Sequence, residues 1–69
     1  MKKIEIIFNG IKEKVPENTS ISDLIRLSDE KESDLIVELN NKFVFSQTYT
    51  STILSDGDKI EFINPDFGG

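Results

Sequence analysis

The chain has no cysteine, no histidine and no tryptophan in its 69 residues. Without cysteine there is neither a disulfide nor a thiolate metal site. Without histidine the commonest acid–base group is missing as well. Serine, aspartate and glutamate remain, but so short a chain has little room for a pocket that excludes water. Catalysis is therefore not expected. Stability must come from packing and backbone pairing, because 69 residues lie near the lower limit for a self-supporting core. No apolar run approaches a membrane span, and Met1-Lys2-Lys3 is too short and too charged for a signal peptide. The lack of cysteine suits the cytoplasm. Basic residues are also scarce, eight against thirteen acidic ones, for a formal charge of −5. That balance repels nucleic acid and anionic lipid. It suits a protein partner with a basic docking surface, or solubility alone.

What is present is short-period alternation. Ile4, Ile6 and Phe8 alternate with Lys3, Glu5 and Ile7, which reads as a strand. Asn9-Gly10 is the dipeptide of a two-residue hairpin turn, and Ile11 to Val15 alternates again. Pro16 closes the hairpin, since it has no N–H to give to a ladder. Ser20 is a helix N-cap with Asp23 in the first turn, and Ile21, Leu24 and Ile25 form one helical stripe. The spacing predicts a helix from about Ile21 to Leu27 or slightly beyond. Ser28 to Asp34 is a solvated connection, and Leu35 to Leu39 a strand with Val37 and Leu39 on one face. Asn40-Asn41 marks a second turn before the strand Phe43-Val44-Phe45. Residues 46–53 form an irregular crossover with room for one helical turn. Asp56-Gly57-Asp58 reads as a tight turn and not as part of a calcium loop, because the remaining ligand positions are missing. Lys59 to Ile63 is the last strand, with Ile60 and Phe62 inward.

A helix after a hairpin must lay its apolar stripe across a sheet. The strand that follows it is expected to pair in parallel with an earlier one. The fold class is thus α+β, a β-grasp: a mixed sheet of four to five strands wrapped on one helix. Residues 1–64 form this domain and 65–69 a flexible tail. Ile7, Ile36, Val44 and Ile63 are placed opposite the core-facing set, as a candidate docking patch on the outer face. Asn64-Pro65 stops the last strand, and six residues from Asn64 reach about 20 Å when extended. Two readings stand for Gly68-Gly69. Either they are a frayed end, or they carry a bare carboxylate on a stem thin enough for a narrow channel, with Phe67 as the anchor before it.

The segments "IIFNG", "SISDLI", "VELNNKFV" and "ILSDGDKIEFINPDFGG" together resemble the ThiS/MoaD sulfur carrier proteins over nearly the whole chain. The resemblance implies that an E1-like adenylyltransferase of the ThiF/MoeB type uses ATP to adenylate the Gly69 carboxylate. A sulfide or persulfide donor, such as a cysteine desulfurase, then converts it to a thiocarboxylate. The acceptor implied is a thiazole synthase of thiamine formation, with the length and short helix closer to ThiS. The proline before the terminal glycines leans toward MoaD. A MoaD-like donor for molybdopterin or another sulfur pathway, and a ubiquitin-like modifier of other proteins, are the alternatives. No bound cofactor or metal is implied, and sulfur riding on Gly69 fits a chain without cysteine. Whether Gly69 is encoded last or exposed by processing stays open.

Overall fold

Asn9 and Gly10 adopt φ angles of 51° and 84°, the left-handed pair that a type I′ turn requires. They join β1 (Lys3–Phe8) to β2 (Ile11–Pro16) in an antiparallel hairpin that pairs Phe8 with Ile11 and Ile4 with Val15. Asn40 and Asn41 repeat the device at 52° and 70°. There they link β3 (Ile36–Leu39) to β4 (Lys42–Val44). The computed structural model describes residues 2–30 and 35–64. The remaining elements are α1 (Ile21–Leu27), a single 3-10 turn at Ser46–Thr48 within the crossover, and β5 (Lys59–Ile63). The expected tail, 65–69, lies outside the described residues.

The sheet has five strands in the order β2-β1-β5-β3-β4. One expectation needs correction. The strand after the helix, β3, does not pair in parallel with an earlier strand; it runs antiparallel to both β5 and β4. The parallel pair is β1 with β5. The cause is the Asp56-Gly57-Asp58 turn, which stitches the start of β5 to β1. Gly57 N–H donates to the Glu5 carbonyl at 2.7 Å, Ile7 N–H to the Asp58 carbonyl at 2.9 Å, and Glu5 N–H to Asp56 Oδ1 at 2.8 Å. These bonds take the central place beside β1 for the last strand and displace β3 outward. Gly57 sits at φ 87°, which only glycine adopts without strain.

α1 is capped at both ends by its own sequence. Ser20 Oγ accepts from Asp23 N–H at 3.0 Å while Ser20 N–H donates to Asp23 Oδ2 at 3.1 Å, a reciprocal capping box. Hydrogen bonds from the Ser20 backbone and hydroxyl, with Arg26 nearby, hold the Asp23 carboxyl below its ordinary range. At the other end Asp29 turns left-handed at φ 61°, and Glu30 N–H reaches the Ile25 carbonyl at 3.2 Å. This is a Schellman stop with aspartate where glycine is usual. It limits the helix to seven residues.

Ile21, Leu24 and Ile25 of that short helix pack on Ile6, Val15, Val37 and Ile60 of the sheet. Tyr49, from the crossover, completes the core at 2% exposure. Its hydroxyl donates to the Leu35 carbonyl at 3.3 Å, and its own carbonyl accepts from Ser22 N–H at 3.1 Å. Ile21 N–H donates to the Thr52 carbonyl, and Leu54 N–H to the Thr19 carbonyl. The crossover is irregular in backbone but tied at several points to the start of α1.

Candidate functional site

In antiparallel pairing, residues directly opposite share a face. With Ile6, Val37 and Ile60 buried, the outer face carries Glu5 and Ile7 of β1, and Lys59, Glu61 and Ile63 of β5. It also carries Ile36 and Glu38 of β3 and Phe43 of β4. Ile36 stands opposite Ile63. Phe43 and Phe45 are 56% and 65% exposed, and their rings meet edge to face at 5.0 Å. They join Ile36 along an open groove that Leu35, Gln47 and Tyr49 complete. The result is an apolar ridge over the β5-β3-β4 side of the sheet.

The four residues expected to form the outer patch are distributed differently. Ile36 and Ile63 are brought together. Ile7 is on the outer face but apart from them, with Lys12 and Lys59 as its cross-strand neighbours. Val44 is a correction: it lies opposite Val37 and packs against the core. The two-residue Asn40-Asn41 turn sets Leu39 opposite Lys42, so Val44 must fall on the face of Val37. Phe43 and Phe45 therefore take the outward positions, and the sequence reading missed them. The turn itself was the signal that places them.

The base of the C-terminal segment is built with care. β1 ends at the Asn9-Gly10 turn, beyond which Phe62 N–H has no strand neighbour on that side. Asn9 Oδ1 supplies the acceptor at 2.8 Å, extending the ladder by one side chain. Asn9 thus turns the hairpin and holds the end of β5. Asn9→Gly keeps the turn and removes the acceptor. It should cost about 1–2 kcal/mol in urea unfolding and deprotect the Phe62 amide in hydrogen exchange. Unchanged protection at Phe62 would contradict this role.

Asp56 and Asp58 hold backbone and side-chain donors. Asp58 Oδ2 accepts from Ser55 N–H at 2.8 Å, and Asp58 Oδ1 from Asn40 Nδ2 at 3.1 Å. Among the described residues no group of acidic side chains is arranged to hold a metal. No helix among them is long and apolar enough to cross a membrane. Asn64, the last described residue, follows Ile63 at the edge of the ridge. Gly69, Gly68 and Phe67, the residues expected to carry the chemistry and its anchor, lie outside the described residues.

The family model described as the ThiS family matches residues 4–69. No curated protein sequence matches the chain. Among solved structures, the thiamine biosynthesis protein ThiS from Geobacter metallireducens superposes with a TM-score of 0.81 at 26% identity. That match covers 96% of this chain and 100% of the other.

Proposed function

Since the chain belongs to the ThiS family of small sulfur carriers, which are not enzymes, we propose that it carries sulfur for thiazole formation on the carboxylate of Gly69. The sulfur carrier role in thiamine biosynthesis is the family's. The steps at Gly69 are our reading. A Gly69 carboxylate oxygen attacks the α-phosphorus of ATP in the site of an E1-like adenylyltransferase. Pyrophosphate leaves and an acyl-adenylate forms. Hydrosulfide, or the terminal sulfur of a donor persulfide, then attacks the acyl carbon and expels AMP. With hydrosulfide the thiocarboxylate forms directly; with a persulfide, a thiol must cleave the resulting acyl disulfide. A thiazole synthase is the acceptor, and the cytoplasm the setting. The carrier binds no cofactor of its own, and ATP belongs to the partner.

The observation that carries this reading is the family match running through residue 69, on a body whose last strand is held at its end by Asn9. Gly68 and Gly69 lack the Cβ atoms that would block a narrow channel, and Phe67 is the aromatic anchor before it. The ridge of Ile36, Ile63, Phe43 and Phe45 begins beside the root of this segment. It supplies the apolar area for docking the adenylyltransferase. The test is intact mass spectrometry after incubation with ATP, sulfide and the adenylyltransferase from the same source. The expected result is a sulfur-for-oxygen mass increase on Gly69. Lysine isopeptide adducts in its place would make the chain a protein modifier, and no activation at all would remove the carrier reading.

A further inference from the structure

Glu38 and Glu61 stand directly opposite each other on β3 and β5, at the centre of the outer face. Their Cβ atoms are about 5 Å apart in such a pair, a like-charge arrangement that works against the sheet. Glutamate is also a poor strand former. Neither carboxylate has a cation in ion-pairing range among the described residues, where the ion pair formed is Asp23 with Arg26. The nearest lysine on the same strand, Lys59, directs its Nζ to Asn41 Oδ1 at 3.3 Å. Both glutamates are half-buried beside the apolar ridge, with Phe43 opposite Glu38 and the Ile36–Ile63 pair next along the strands.

We propose that Glu38 and Glu61 together receive an arginine from the docking surface of the adenylyltransferase, which the ridge seats around it. This rests on the sulfur carrier reading and adds the charge that selects the partner. A planar guanidinium offers enough donors for two carboxylates at once, and apolar neighbours strengthen those bonds by excluding water. A second copy of the chain is a poor occupant, because face-to-face docking would bring four carboxylates together at a net charge of −5 per chain. Nucleic acid is repelled on the same ground. The pair thus weakens the isolated fold and becomes favourable when a basic partner covers it.

The test is ATP–pyrophosphate exchange by the adenylyltransferase, with the carrier as varied substrate, beside thermal unfolding of the carrier alone. E38Q/E61Q keeps the shape of both side chains. It should raise KM about tenfold, with the loss falling on KM and not on kcat. The same variant should unfold a few degrees higher, about 2–4 °C, because the repulsion is gone. Raising salt from about 0.05 to about 0.5 M should raise KM for the wild type far more than for the variant. A KM within about twofold of wild type alongside a higher Tm would overturn the proposal. So would a raised KM with a lowered Tm, which would mark the pair as structural. Wild-type carrier that supports no exchange would sink the sulfur carrier reading itself, and this inference with it.

Discussion

Deleting Gly69 should abolish the proposed sulfur loading and leave the fold as it is. The expectation follows from the proposed division of the chain into a folded body and a tail. Among the described residues, β5 is held by β1, by β3, by the Asn40-Asn41 turn and by Asn9, whose Oδ1 accepts from Phe62 N–H at 2.8 Å. The proposed chemistry, by contrast, needs a terminal carboxylate at one distance from the docking ridge. A chain shortened by one residue moves that carboxylate back by about 3.5 Å. A displacement of about 1 Å already costs roughly a hundredfold in a positioned reaction, so activation should fall below detection. Mass spectrometry should show no sulfur gain in the shortened protein, and circular dichroism should give a Tm within about one degree of wild type. Normal loading on Gly68 would refute the positional argument. A Tm lowered by several degrees would refute the division.

Tyr49→Ala should remove between about a third and all of the domain's folding stability. Tyr49 is 2% exposed and lies in the hydrophobic core formed by the described residues. Truncating a buried aromatic residue costs about 3–5 kcal/mol. A domain of 69 residues has only about 3–10 kcal/mol in total. The loss also frees the crossover, whose Tyr49 carbonyl holds Ser22 N–H at the first turn of α1. Tyr49→Phe separates the two contributions, since it removes the hydroxyl bond to Leu35 and keeps the ring; about 1 kcal/mol is expected. Denaturant melts of both variants decide the matter. A Tyr49→Ala protein within about 1 kcal/mol of wild type would show that the crossover repacks around the gap.

The local elements were legible because their causes are local. Alternation set β1, β2 and β5, and paired left-handed residues set both hairpin turns. Ser20 and Asp23 set the start of α1. Tyr49 was not legible as a core residue. It lies in a stretch without periodicity, and only long-range packing gives its ring somewhere to go. Nor was the central place of β5, which depends on the Asp56-Gly57-Asp58 turn bonding to Glu5 far away in sequence. The outer face falls between these cases. The Asn40-Asn41 turn contained the register that puts Phe43 and Phe45 outside and Val44 inside. Strand pattern by itself does not give that answer when three apolar residues stand in a row.

By itself, then, the sequence determined the kind of element at nearly every position, the absence of cysteine and histidine chemistry, and the two glycines on which the proposed function rests. Those depend on residue type and near neighbours. Only the tertiary structure decided that Glu38 meets Glu61, that Ile36 meets Ile63, and that Asn9 supports Phe62. Each joins strands that are distant in the chain. Such a meeting is set by which strand wins the central place in the sheet, a competition that no local pattern records.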